Sequence, residues 1–159
     1  MRVDKREFSR RVLAVENRLY RVSCGLLKNP QDRMDAAQEA VIRAWERIGS
    51  LRKPEYFETW LTRILINVCY DMLRGRRNIV PLEEIAEQPA PEGTDRELHR
   101  AIQRLDRDLR LTVVLHYMEG YKLREIAEIL ELPIGTVKTR LMRAKRQLRE
   151  QLEEREDWA

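Results

Sequence analysis

Two cysteines and two histidines in 159 residues leave little from which to build a metal centre or a disulfide framework. Cys24 and Cys69 lie far apart and form no Cys-x-x-Cys pair, so they read as buried thiols in a reducing cytoplasm. His99 and His116 are isolated, whereas a closed metal site needs about four clustered ligands. No stretch approaches the ~20 apolar residues that span a bilayer, and the opening Met1-Arg2-Val3-Asp4-Lys5-Arg6-Glu7 has no apolar signal core. The expected protein is soluble, untargeted and cytoplasmic. Also missing are a Gly-rich phosphate loop, a His-Glu-x-x-His helix, a Gly-x-Ser-x-Gly turn and a cysteine beside a plausible base. Carboxylates are plentiful but interleaved with Lys and Arg, the pattern of solvated faces. The sequence therefore predicts no catalytic residue, metal, cofactor or small-molecule substrate, and no enzyme.

What is abundant is charge. Charged residues make up 36% of the chain, against roughly 25% in ordinary globular proteins, while 43% hydrophobic residues still suffice for packed cores. A net charge of +4 and a pI near 9.3 point to a polyanionic partner, nucleic acid ahead of a membrane surface.

Hydrophobic spacing organises the chain as helices. Phe8, Val12, Val15, Leu19, Val22 and Leu26 mark one face of a long amphipathic helix, which Asn29-Pro30 is expected to end. A second pattern opens near Asp35 and predicts burial of Val41, Ala44, Trp45 and Ile48 before Gly49-Ser50 breaks it. After a polar loop from Leu51 to Glu55, Phe57, Trp60, Leu61, Ile64, Leu65, Val68 and Leu73 give a third helix, ending in Arg74-Gly75-Arg76-Arg77. From Ile79 to Asp95 the prolines Pro81, Pro89 and Pro91 and a run of acids leave little to bury, so this segment reads as a linker. Periodicity resumes at Leu98, Ile102 and Leu105, then over Asp108 to Met118, closed by Glu119-Gly120. The expected fold is all-α, two small helical domains over residues 1–78 and 96–159 joined by an acidic, Pro-rich linker over 79–95.

The last two helices carry the most information. Leu123, Ile126, Ala127 and Leu130 recur at helical spacing and predict a short buried stripe. After Glu131-Leu132-Pro133-Ile134-Gly135, residues Val137, Leu141, Ala144 and Leu148 share one face and would pack against it. The opposite face carries Thr136, Lys138, Thr139, Arg140, Met142, Arg143 and Arg146. A basic helix face alone is usually solvated surface. Here turn length, small residue, core stripe and donor face occur together, as a recognition helix in a major groove requires.

Val113 to Leu148, with Tyr117-x-x-Gly120-Tyr121 ahead of Glu125-Ile126-Ala127 and Gly135-Thr136-Val137-Lys138-Thr139-Arg140-Leu141, resembles region 4 of bacterial sigma factors. Asp35-Ala36-Ala37-Gln38-Glu39-Ala40 with Arg43-Ala44-Trp45 resembles region 2.2, and Phe57-x-x-Trp60-Leu61-x-x-Ile64-x-x-Asn67 resembles regions 2.3 and 2.4. With no domain between them, the two matches resemble the extracytoplasmic-function (ECF) subfamily of the sigma-70 class.

The resemblance implies partners and roles. Asp35, Gln38 and Glu39 match positions that dock on the beta-prime clamp of core RNA polymerase, and the beta flap is a further contact. Leu51, Trp60 and Asn67 match positions that hold a flipped base of the promoter minus-10 element, with Arg52, Lys53, Arg63 and Arg74 available for phosphates. The minus-35 element would be read by the donor face of the last helix, and a membrane-associated anti-sigma factor would hold the protein inactive. A free-standing helix-turn-helix regulator is the alternative, but it needs neither Asp35-Gln38-Glu39 nor Trp60-Asn67.

Several positions depart from the common pattern. Ala37 replaces a larger aliphatic, Arg33-Met34 a frequent Ala-Glu, Lys122 a capping Ser or Thr, and Glu131 a Gly. Lys122 forfeits a cap of typically about 1 kcal/mol. Either Glu131 holds a left-handed conformation, at about 1 to 2 kcal/mol, or the turn differs.

Overall fold

The computed structural model describes residues 3–75 and 95–156, which fall into two compact helical units, with no strand among the described residues. The expected linker lies outside the described residues, apart from Asp95.

In the first unit, α1 (Lys5–Cys24) starts at Asp4, whose carboxylate accepts the Glu7 N–H at 2.8 Å. It stops at Gly25, earlier than the sequence pattern implies, because Leu26 and Leu27 reach the core from the following turn. Asn29-Pro30 does not end α1; it opens α2 (Pro30–Glu46), with Pro at the first position and Asn29 capping the Gln31 N–H at 2.8 Å. Proline fits there because that N–H has no helical partner in any case.

The buried face of α2 is also not the expected one. Ala36, Ala40 and Ala44 are buried, whereas Val41 and Ile48 are half-buried and Trp45 is 41% exposed, its ring 5.1 Å from that of Phe8. Three alanines four residues apart let α2 lie close on its neighbours, so the bulkier side chains are displaced to the edge. Single 3-10 turns at Ile48–Ser50 and Pro54–Tyr56 lead into α3 (Phe57–Gly75). Leu61, Leu65, Ile66, Val68 and Cys69 of α3 are enclosed, and each such large aliphatic contributes about 1.5 to 3 kcal/mol of burial.

In the second unit, Asp95, the last residue of the expected linker, flanks the first helix. It caps α4 (Arg96–Arg104), accepting the N–H groups of Glu97 and Leu98. The next helix, α5 (Arg107–Val113), widens over Val114–Met118 into a π turn, where the Glu119 N–H donates to the Val114 carbonyl at 3.0 Å. Gly120, at φ 75°, turns the chain toward α6 (Leu123–Leu130). The stripe of α6 is shifted from expectation: Ile126 and Ile129 are buried, while Leu123, Ala127 and Leu130 are half-buried. The last helix is α7 (Ile134–Glu156), whose Val137, Leu141 and Ala144 complete the core against α4, α5 and α6.

Candidate nucleic-acid interface

The turn between α6 and α7 sets the direction of α7. Glu131 occupies the left-handed region, φ 57° and ψ 46°, resolving the alternative left open by the sequence. The Leu132 N–H then donates to the Ala127 carbonyl at 3.0 Å and the Glu131 N–H to the Glu128 carbonyl at 3.3 Å, the two bonds of a Schellman ending. At the other end of α6 the Lys122 side chain cannot accept a capping bond, but the Glu125 carboxylate accepts the Lys122 N–H at 2.9 Å. Pro133 immediately precedes α7, and its carbonyl accepts the Thr136 and Val137 N–H groups.

With Val137, Leu141 and Ala144 inward, Lys138, Thr139, Met142, Arg143 and Arg146 are exposed, Met142 by 67%. Thr139 donates its hydroxyl to the Gly135 carbonyl at 2.9 Å, which fixes the side chain. Thr136 and Arg140 are half-buried, and Arg140 lies 3.9 Å from the Asp108 carboxylate on α5. Lys145, one residue before Arg146, sits over the Tyr117 ring at 5.4 Å.

In the first unit, Trp60, Arg63, Asn67, Asp71 and Arg74 follow one another at three- and four-residue steps along α3, forming one stripe. Arg63, Asn67 and Arg74 are exposed and Trp60 is half-buried, its ring 5.9 Å from Phe57. Asp71 was not among the expected site residues, yet it is ion-paired with Arg74 in this stripe. The loop ahead of α3 and the first turn of α3 are both tied to α1: Arg11 donates to the Pro54 carbonyl at 3.0 Å, and Arg18 pairs with Glu58. Leu51, expected beside a flipped base, is only 4% exposed, so it anchors the loop from inside. The loop's exposed groups are Arg52, Lys53, Glu55 and Tyr56, with Lys53 over the Tyr56 ring at 6.0 Å. The sequence gives no sign of Tyr56, because an aromatic next to the core residue Phe57 reads equally well as core.

A third surface lies on α2. Asp35, Gln38 and Glu39 are all exposed; Asp35 accepts from Gln31 Nε2 at 3.0 Å and Glu39 from Arg43 Nε at 3.1 Å. Beside them an apolar groove of about 540 Å³ runs between α1 and α2, floored by Val12, Leu19, Ala37 and Val41 and edged by Glu16, Gln38 and Ile42. The small Ala37 leaves this groove open.

Among the described residues no group of three or more His, Cys, Asp or Glu side chains could hold a metal, and no helix is long and apolar enough to cross a membrane. Cys24 and Cys69 are unpaired thiols whose pKa burial raises, that of Cys69 to about 12.

Comparison with known proteins matches both units. The family model for Sigma-70 region 2 covers residues 12–79, and that for Sigma-70, region 4 covers residues 95–148. The ECF RNA polymerase sigma factor SigW of Bacillus subtilis is 33% identical over 169 residues, covering 94% of this chain and 90% of that protein. The chain belongs to the ECF subfamily of RNA polymerase sigma factors. SigV of Bacillus subtilis is also 33% identical, over 138 residues, 84% of this chain and 83% of its own. Among solved structures, the sigma factor RpoE of Bartonella quintana, in complex with the anti-sigma factor NepR, superimposes with a TM-score of 0.80 at 28% identity, over 92% of this chain and 97% of that one. CnrH, in complex with the cytosolic domain of CnrY, shares the fold, with a TM-score of 0.71 at 24% identity over 94% and 90% of the two chains. An ECF sigma factor binds core RNA polymerase and directs initiation at promoters through regions 2 and 4, here carried by the first and second units. A free-standing regulator leaves the region 2 match unexplained.

Proposed function

We propose that this sigma factor divides its work among the three surfaces described above. The donor face of α7 reads the minus-35 element: Lys138, Thr139, Met142 and Arg143 at base edges, with Thr136, Arg140, Lys145 and Arg146 toward phosphates. The α3 stripe and the loop before it take the minus-10 element, with Trp60 and Asn67 at an extruded base and Arg52, Lys53, Arg63 and Arg74 on the backbone. Leu51 supports that loop from the core. Asp35, Gln38 and Glu39, with the groove beside them, dock on the beta-prime clamp of the polymerase, and the second unit meets the beta flap. The observation that carries this reading is the segregation on α7, where Val137, Leu141 and Ala144 are buried and the basic and apolar readers stand opposite them.

The protein makes no covalent chemistry of its own and acts in the cytoplasm. Its domains are residues 1–78 and 96–159, joined by the acidic segment 79–95, and an anti-sigma factor with a membrane association restrains it by covering the polymerase-facing surfaces. The RpoE–NepR complex supports the binding of an anti-sigma factor, because RpoE shares both fold and about the whole length of this chain.

Run-off transcription by core polymerase from a promoter library tests the reading, with competition for core polymerase measured alongside. The wild-type chain should select a subset of promoters. The double variant Asp35→Lys/Glu39→Lys should keep its fold and lose competition for core. Normal competition by that variant would overturn the docking assignment.

A further inference from the structure

Four charged side chains of alternating sign cross the first unit from the α2 surface to the α3 stripe. Glu39 accepts from Arg43 Nε at 3.1 Å, and Arg43 donates through Nη1 to Asp71 Oδ2 at 3.0 Å. The other oxygen of Asp71, Oδ1, accepts from Arg74 Nη2. Arg43 is the most enclosed of the four, its side chain 27% exposed, and Arg74 the least, at 70%. The inner pair is the firmest link: Arg43 is the largest cause of the low pKa of Asp71, and Asp71 the largest cause of the raised pKa of Arg43. The two ends of this chain belong to different surfaces. Glu39 faces the polymerase and Arg74 faces DNA in the function proposed above.

We infer that Arg43 and Asp71 couple polymerase docking to DNA binding, an inference that rests on the assignment of Glu39 and Arg74 to those two surfaces. In the free chain Asp71 occupies the Arg74 guanidinium, so a phosphate must displace a carboxylate to use it. When a cation of the polymerase pairs with Glu39, Arg43 loses one of its two acceptors. Its donors then turn to the remaining one, Asp71, and compete with Arg74 for the same two oxygens. Arg74 is released to the DNA backbone. Thermodynamic reciprocity requires the converse: DNA that draws Arg74 away leaves Asp71 to Arg43, and Glu39 becomes more available to the polymerase. Partly exposed ion pairs are weak and screened by salt, so the coupling is a factor of about two to five and fades as ionic strength rises. Asp71 and Arg43 are positioning residues here, since neither needs to touch polymerase or DNA.

The test uses the full-length chain without polymerase, titrated at low salt with a fluorescein-labelled single-stranded DNA of mixed sequence, because phosphate contacts carry no sequence information. Glu39→Gln removes the outer hold on Arg43 and so imitates docking. It should tighten binding about two- to five-fold, and that gain should vanish in an Arg43→Gln or an Arg74→Gln background. Contacts made by α7 are common to all these variants. A gain of the same size in the Arg43→Gln background would mean that Glu39 acts only through bulk charge, and would overturn the coupling, as would no gain at all. If Arg74→Gln leaves binding unchanged even in the Glu39→Gln background, where Arg74 is released, the assignment of Arg74 to DNA fails, and the coupling with it.

Discussion

Arg33 on α2 donates its Nε–H to the carbonyl oxygen of Leu27 at 2.8 Å, so a charged side chain closes the turn that precedes its own helix. Its Nη2 reaches the Lys28 carbonyl at 3.3 Å, its Nη1 the Tyr20 hydroxyl at 3.4 Å, and the guanidinium lies 5.8 Å from the Tyr20 ring centre. Only 5% of Arg33 is exposed. Arg33→Ala removes the hydrogen bonds that this buried side chain makes to the Leu27 and Lys28 carbonyls and should cost about 1 to 3 kcal/mol. Arg33→Lys should recover only part, because an ammonium cannot serve the same acceptors in a planar fork. Urea unfolding of the three proteins, compared at constant m-value, checks both.

Glu131 offers the opposite opportunity. It sits at φ 57° with no other described non-glycine residue at positive φ, in a position where glycine carries no penalty. Glu131→Gly should stabilise the second unit by about 1 kcal/mol, net of the greater freedom glycine gains in the unfolded chain. Gly120, at φ 75°, should behave inversely, with Gly120→Val destabilising. Thermal melts of the two variants, read by circular dichroism, would expose an error in either sign.

Much of this architecture was legible in the sequence, and the exceptions share a physical cause. The long α1 and α3 followed from apolar spacing alone, as did Val137, Leu141 and Ala144 of the α7 stripe, whereas Leu148 of the same stripe is half-buried. The pattern failed where size and polarity ceased to report burial. Small alanines at 36, 40 and 44 form the α2 face, while Trp45 was read as core. Arg33 is buried because backbone carbonyls satisfy it, which no hydropathy pattern reveals. Asn29-Pro30 was read as a stop although the same two residues are a capping residue and a first-turn proline. In the candidate sites, Leu51 matched a family position by residue type, but its side chain faces the core. Asp71 carries no signal in the sequence, because its pairing is with Arg43, which is distant along the chain.

Cys69 links burial to alkaline stability. Its thiol is fully enclosed on α3, and burial pushes its pKa from 9.0 up to about 12. In the unfolded chain the thiol ionises near pH 9, so between pH 9 and about 12 the unfolded state binds fewer protons than the folded one. Stability from this group is complete below that window and is lost as pH rises through it. Cys69→Ala should therefore show a shallower alkaline decline than wild type, despite its cavity. At pH 8, iodoacetamide should label Cys24, which is half-buried, well before Cys69; equal labelling rates in the folded protein would contradict the burial argument.

Recognition of the minus-35 element separates two arginines on one helix face. Val137, Leu141 and Ala144 point into the core, which leaves Lys138, Thr139, Met142 and Arg143 on the exposed face of the first turns of α7, where base edges are reached. Their chemistry suits base readout, with Lys or Arg for guanine acceptors and the apolar parts of Thr and Met for a thymine methyl. The Thr139 hydroxyl hydrogen is already committed to Gly135, which favours its methyl as the reading group. Arg146 stands a turn further along the helix, where the function proposed above directs it to the backbone of the duplex. Arg143→Ala should cost about 1 to 3 kcal/mol and flatten preference at one or two positions, whereas Arg146→Ala should weaken all sequences alike. Only the second should act chiefly through salt, reducing the dependence of log K on log salt by about one unit. Holoenzyme binding to single-base variants of the element, repeated across salt concentrations, distinguishes them. Uniform weakening by Arg143→Ala, with base preference intact, would make Arg143 a phosphate clamp and leave Lys138 and Thr139 to read the bases.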